Sequence, residues 1–130
     1  MQKIIKWNPF PNEKNQRIYC EGVHDDYEGF RILLTGEEKA SPMLRLSLEN
    51  TLYYQNRDEG YFFNYGNIQG AFDYPHPFYI IEYSELIQKF HIESENTFSE
   101  LNIKHYAIYT CNDCIDILSE KEPKAVNLSD

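Results

Sequence analysis

The chain has 130 residues, 42% of them hydrophobic, and a net charge of −9 from 21 acidic and 12 basic residues. This length fits a single domain, residues 1–130, that can bury one core without disulfides or metals. The negative charge argues against a nucleic-acid binder and against a protein of anionic membranes, because phosphate groups are held by clusters of Lys and Arg. It suits either simple solubility or steering towards a basic partner.

The sequence favours a cytoplasmic location. Its first residues include no apolar run long enough for a signal peptide, and no segment approaches the length that crosses a membrane. The three cysteines are an odd number, which does not suit the disulfide framework of a secreted protein. We therefore expect Cys20, Cys111 and Cys114 to be free thiols.

The first half of the chain predicts antiparallel strands. Apolar and polar residues alternate with a period of two, most cleanly around Leu44, Leu46 and Leu48, which predicts a strand with one buried face. Asp and Gly between residues 24 and 29 are typical of a hairpin turn. The predicted strands are residues 17–23, 30–35, 43–50, 52–55 and 61–66, and residues 3–7 form either a short strand or an anchoring arm. Residues 52–55 either continue the preceding strand after a bulge or begin a new one.

The second half predicts a strand, a helix and two further strands. Residues 78–83 are apolar on both faces, as in a central strand, and Ser84 is suited to cap a helix over residues 85–95. A stripe of Leu86, Ile87 and Phe90 should pack that helix on the sheet. Strands follow at 103–110 and 115–119, and residues 121–130 form an edge strand or a frayed tail.

These elements predict the α+β class. We expect a mainly antiparallel, twisted sheet of about six strands, with one principal helix, about residues 85–95, packed on one face.

No catalytic, cofactor-binding or metal-binding site is predicted. The Cys111–Cys114 spacing matches C-x-x-C, but Asn112 and Asp113 between the two thiols are typical of a turn, so a hairpin is favoured over a redox or zinc site. His105 is interpreted as a hydrogen-bonded core histidine. An enzyme would require His105 or His24 to lie within reach of a carboxylate in a cleft.

Two acidic loops are the candidate partner-binding residues. Each places carboxylates beside a tyrosine at a strand end, and acidic groups with a rigid ring suit a surface that holds a basic protein. The candidates are Asp25, Asp26, Tyr27, Glu28, Asp58, Glu59 and Tyr61. The alternative is that both loops are ordinary solvated turns.

Several motifs resemble a known family. They are D-D-x-x-G at residues 25–29, D-E-G at 58–60, an aromatic strand ending in Ser before a helix at 78–84, and HYAIYT-CNDC-IDILS followed by Glu122 and Pro123. In these features the chain resembles the immunity proteins of contact-dependent growth inhibition, small acidic cytoplasmic proteins encoded beside bacterial polymorphic toxins. The resemblance implies tight inhibition of one cognate toxin domain, often a nuclease.

A second hypothesis is a small-ligand-binding module with an aromatic pocket between helix and sheet. It predicts a closed apolar cavity, whereas an immunity protein should have a filled core and an exposed acidic patch.

Overall fold

The computed structural model describes residues 2–13, 17–58, 72–73 and 75–129. These residues form nine strands and one helix. The strands are β1 (Lys3–Lys6), β2 (Ile18–Asp26), β3 (Gly29–Gly36), β4 (Met43–Leu48), β5 (Thr51–Asp58), β6 (Phe78–Glu82), β7 (Lys104–Tyr109), β8 (Asp113–Ser119) and β9 (Lys124–Asn127), and the helix is α1 (Glu85–Glu93).

The strands form two sheets, and each of the strand pairs described is antiparallel. One sheet has five strands in the order β1-β6-β7-β8-β5, and the other has four in the order β2-β3-β4-β9. The predicted α+β class with antiparallel strands and one helix is confirmed. The prediction of about six strands in one sheet is replaced by two sheets, because alternation shows which face of a strand is buried but not which strands pair. The strand predicted at 61–66 lies outside the described residues.

The main core lies between the two sheets. In β4, Leu44, Leu46 and Leu48 are buried while the residues between them are partly exposed, so the predicted alternation is confirmed. Aromatic rings close the core near β1, where Trp7 and Phe10 lie against Phe78. Facing residues of both sheets fill the remainder: Ile18, Phe30, Ile32 and Leu34 from the four-stranded sheet, and Tyr106, Ile108, Ile115 and Ile117 from the five-stranded sheet.

A second apolar cluster covers the outer face of the five-stranded sheet. It contains Phe72, Tyr79, Ile81, Ala107, Tyr109 and Cys114. The central strands β6, β7 and β8 are therefore buried on both faces, which explains their nearly continuous apolar sequence. The predicted central strand is confirmed.

The chain crosses from one sheet to the other between β4 and β5. Leu48 pairs with Phe30 in the four-stranded sheet, whereas Thr51 pairs with Ser119 in the five-stranded sheet. Asn50 makes the change of direction with φ of 56°, a left-handed conformation that Asn tolerates better than most residues. Of the two alternatives that the sequence left open, the new strand is therefore the one observed.

Helix α1 is capped as predicted, but it packs less deeply on the sheet than the sequence predicted. Ser84 is the N-cap, and its Oγ accepts a hydrogen bond from the Ile87 amide at 3.1 Å. No residue of α1 is buried, so the side chains of the predicted apolar stripe are only partly covered by the sheet. Within it, Phe90 stacks on Phe98 with ring centroids 5.4 Å apart. Among the described residues, no helix has the length and apolar character needed to cross a membrane.

The C-x-x-C segment forms the predicted hairpin turn between β7 and β8. The Thr110 amide donates to the Asp113 carbonyl at 2.8 Å, and Cys114 lies buried in β8. The C-terminal segment contributes β9, an edge strand that pairs with β4.

Candidate functional site

The first candidate site is the tip of the β2–β3 hairpin. Asp26 pairs with Gly29, so Tyr27 and Glu28 alone form the turn. Gly29 has φ of 101°, which a residue with a side chain rarely adopts. Tyr27 is 97% exposed and therefore presents nearly the whole of its ring to solvent.

Arg31 holds this turn in one conformation. Its guanidinium donates to both carboxylate oxygens of Asp26, at 2.8 and 3.3 Å, and to the Gly29 carbonyl at 3.1 Å. The Glu28 amide donates to Asp26 Oδ1 at 3.0 Å. The hydrogen bond from Arg31 lowers the pKa of Asp26 from its ordinary value. The bidentate pairing fixes the turn geometrically, and Tyr27 projects from a braced support.

A groove of about 920 Å³ opens beside the tip, at the end of the molecule where the chain crosses between the sheets. Four carboxylates and two ammonium groups border it. They are Asp25, Glu28, Glu49, Glu122, Lys121 and Lys124. Apolar and aromatic residues line it between these charges, and they are Phe30, Leu48, Leu52, Tyr53 and Tyr54. The groove is therefore amphipathic with an acidic border.

Two ion pairs involve residues on the border of the groove, and the first joins Glu28 to Arg31 with a nitrogen–oxygen distance of 3.7 Å. The second is exposed and joins Lys121 to Glu49. Lys121 Nζ is 2.9 Å from Glu49 Oε2, and their side chains are 58% and 77% exposed. The hydrogen bond from Lys121 lowers the pKa of Glu49. An exposed pair of this kind contributes little to folding.

Asp58, the one residue of the second predicted acidic loop that the structure describes, lies at the opposite end of the sandwich. Asp58 ends β5, seven residues along the strand from Thr51 on the groove, which corresponds to about 23 Å. It pairs in register with Asp113. Glu59 and Tyr61, the other candidates of that loop, lie outside the described residues. The structure therefore brings Asp25, Asp26, Tyr27 and Glu28 together but places Asp58 away from them.

Sequence reasoning missed Glu49 and Glu122 as members of the acidic border. Each lies in a short connection after a strand, so each looks like an ordinary solvated residue. They meet the hairpin tip because β3 pairs with β4 and β5 pairs with β8. The information needed was strand pairing, which local sequence does not encode.

The second candidate site is a buried polar network around Asp116. Both carboxylate oxygens accept two hydrogen bonds each. Oδ1 accepts from His105 Nε2 at 2.7 Å and the Tyr109 hydroxyl at 2.7 Å, and Oδ2 accepts from Arg57 Nη2 at 3.0 Å and Gln55 Nε2 at 3.2 Å. Burial acts to raise the pKa of Asp116, but these donors, led by His105, outweigh it and lower the pKa. Asp116 is therefore a satisfied buried carboxylate.

His105 links this carboxylate to the helix. Its Nδ1 lies 2.7 Å from Ser84 Oγ, which also caps α1. With Nε2 donating to Asp116, Nδ1 accepts from the Ser84 hydroxyl, so both ring nitrogens of His105 have partners. The expectation that His105 is a hydrogen-bonded core histidine is confirmed.

Ser84, His105 and Asp116 are the residue types of a serine-hydrolase triad, but substrate access is missing. Ser84 is 3% exposed, His105 2% and Asp116 0%. A nucleophile must reach the reacting carbonyl, and this hydroxyl lies beneath the start of α1. The cavities of about 920, 360 and 60 Å³ are lined by other residues. The network therefore fastens α1 to the sheet.

Two smaller cavities lie elsewhere among the described residues. The cavity between α1 and the sheet, lined by Tyr53, Leu86, Lys89, Phe90 and Glu93, measures about 60 Å³. Pockets for small molecules are typically about 300–1,000 Å³, so this cavity is too small for such a ligand. The other, of about 360 Å³, lies beside Trp7 and His76. No group of three or more potential metal ligands is assembled within the described part of the chain.

Cys20, which lies beside the hairpin turn, is not arranged for thiol chemistry. Burial, followed by the nearby Asp113 carboxylate, raises the pKa of Cys20 to about 11. A reactive thiol needs the opposite shift.

Comparisons of the chain with protein-family models, with curated proteins and with solved structures give no match. The acidic hairpin tip and its groove are thus interpreted from their geometry and charge.

Proposed function

We propose that the protein is a non-enzymatic, cytoplasmic immunity protein that neutralises a cognate basic toxin, a nuclease for example, by binding to it. The observation that carries this proposal is the braced acidic hairpin tip, with Tyr27 97% exposed beside a carboxylate-bordered groove. A nuclease domain needs a basic surface to hold phosphate, which is the complementary charge.

Two physical effects support the proposal. The net charge of −9 would accelerate encounter with a basic domain, because opposite charges steer diffusion. A rigid aromatic ring such as that of Tyr27 would then prolong the complex, since Tyr is enriched among residues that dominate binding energy. The acidic surface also disfavours nucleic acid and anionic lipid as partners.

The first experiment is co-expression with the adjacent toxin domain, if the gene has one beside it. The chain should restore growth of cells that produce the toxin, and the purified proteins should form a complex measurable by calorimetry. The association rate should fall with added salt because screening weakens the steering. Absence of both rescue and complex would end the proposal.

The second experiment tests the hairpin tip. Tyr27→Ala should weaken binding roughly 30-fold, the effect of losing a dominant interface residue worth about 2 kcal/mol. Tyr83→Ala is the matched control, because Tyr83 is also exposed, at 71%, but lies away from the groove beside the tip. It follows β6, and two strands separate β6 from β5, the strand on the groove. Equal losses in both variants would contradict the assignment of the tip.

A further inference from the structure

We propose that the groove beside the hairpin tip receives a cationic side chain, an arginine or lysine on a projecting segment of the partner. Lys121 occupies the place of that cation in the free protein. This inference rests on the proposed function and specifies which part of the surface holds the partner.

The carboxylates of the groove come from three separate parts of the chain. Asp25 and Glu28 belong to the β2–β3 hairpin, Glu49 to the β4–β5 connection and Glu122 to the β8–β9 connection. Their convergence gives four negative charges against the two positive charges of Lys121 and Lys124 on the border. Arg31, which also pairs with Asp26, lies 3.7 Å from Glu28 and offsets part of that carboxylate's charge. A cation entering the groove therefore meets attraction from several directions, whereas an anion is repelled.

The inner surface suits the rest of such a side chain. Phe30 packs edge-to-face on Tyr54 with centroids 4.6 Å apart, and Leu48 lies beside them. Arg and Lys place their aliphatic stems along apolar surface while the charged group reaches polar partners. Aromatic rings also attract cations directly. The groove thus offers apolar contact for the stem and carboxylates for the charge.

Lys121 can be displaced at little cost. Its pair with Glu49 is highly exposed on both sides, so it holds the carboxylate only weakly. A partner cation that is desolvated in the groove would make the stronger contact. In the complex, Lys121 is left as a like charge beside the entering cation, which predicts that removing it improves binding.

The test uses nuclear magnetic resonance titration with N-acetylarginine amide, and N-acetylglutamine amide as the neutral control. Amide signals of residues 49–54 should shift with the arginine compound and not with the glutamine compound. Lys121→Ala should tighten binding about threefold and Glu49→Gln should weaken it about threefold, as expected for one exposed charge.

Matched charge changes beside β1, at the edge of the five-stranded sheet opposite β5, are the control. Lys6 and Asp73 form an exposed ion pair beside Tyr79, remote from the groove. Lys6→Ala and Asp73→Asn change the net charge by the same amounts, and should leave the affinity for N-acetylarginine amide unchanged.

Equal effects of the groove and control variants would overturn the inference, because net charge alone would then explain the binding. Amide signals that shift equally with both compounds would also overturn the inference. Either result, together with intact binding of the toxin domain, refutes the groove as the cation site and leaves the proposed function standing. Failure of the unmodified chain to bind the toxin domain would instead refute the proposed function.

Discussion

The side-chain amide of Asn112 is hydrogen-bonded to both backbone groups of Cys20: Oδ1 lies 3.0 Å from the Cys20 nitrogen and Nδ2 lies 3.1 Å from its carbonyl oxygen. The neighbouring Cys111 amide donates to the Ile18 carbonyl at 2.8 Å. The β7–β8 turn therefore supplies hydrogen-bond partners to the outer edge of β2, beside the irregularity between Cys20 and Gly22. One turn of the five-stranded sheet thus closes the edge of the other sheet.

Asn112→Ala should destabilise the protein by about 1 kcal/mol, because the two hydrogen bonds with Cys20 and the one from the Thr110 hydroxyl are lost while water replaces part of each. Urea unfolding measures the change. Asn112→Asp isolates the donor: it keeps the acceptor but places a carboxylate oxygen opposite the Cys20 carbonyl oxygen, so it should also be destabilised. A change below about 0.3 kcal/mol in the alanine variant would show that the bridge is unimportant for stability.

Ser84→Ala should lower the free energy of unfolding by about 1–2 kcal/mol, because it removes both the helix cap and the partner of His105 Nδ1. Ser84→Thr retains the hydroxyl and should lose less. Thermal unfolding of both variants gives the comparison. A fluorophosphonate probe for serine hydrolases should leave Ser84 unlabelled because its hydroxyl is buried, and labelling would show that the triad-like network is catalytic.

The Asp116 carboxylate should make stability dependent on acidic pH. Its pKa is lowered below the ordinary value of 3.8 in the folded state, so its contribution is complete above pH 3.8 and is lost as the pH falls through the folded pKa. Asp116→Asn should lower the free energy of unfolding by about 3 kcal/mol at pH 7, because Arg57 loses its buried partner.

Urea unfolding of wild type and Asp116→Asn between pH 7 and pH 2.5 tests this prediction. The difference between them should shrink below pH 3.8, whereas Asp25→Asn, at an exposed position, should follow wild type. A difference that stays constant with pH would show that the carboxylate is not charged in the folded protein.

Cys20 should be alkylated slowly. With its pKa raised to about 11 from 9.0, its thiolate fraction at pH 7.5 is roughly a hundredfold below that of an ordinary cysteine. Iodoacetamide labelling followed by peptide mass spectrometry measures the rate against the urea-unfolded protein. Asp113→Asn should accelerate it by removing a nearby negative charge, and labelling of folded Cys20 at the unfolded rate would contradict the prediction.

Local patterns predicted most strands because burial of one face repeats every two residues, as at Leu44, Leu46 and Leu48. They could not predict the two sheets, since pairing joins segments far apart in the chain. The helix was predicted longer and more deeply packed than it is. Glu95 and Asn96 adopt positive φ values that end the regular turns, and apolar spacing alone does not show how close a helix lies to a sheet.

The polar network was predicted only in part. His105 was interpreted correctly, but Asp116 was overlooked although it lies between Ile115 and Ile117 in an apolar strand. A carboxylate in such a position is stable only with several donors, so the sequence already carried a signal for partners. Which residues supply them could not be predicted, because Arg57 and Gln55 come from a strand 60 positions earlier in the chain.

Glu49 and Asn50 are the entire connection between β4 and β5, and thus between the two sheets at that point. A partner that binds Glu49 would also stabilise the folded geometry of this connection between the sheets. Because it would bind the folded chain and not the unfolded one, it would raise the melting temperature in proportion to the logarithm of its concentration. Inhibition of the partner and protection of the bound protein from unfolding would then be two measures of one equilibrium.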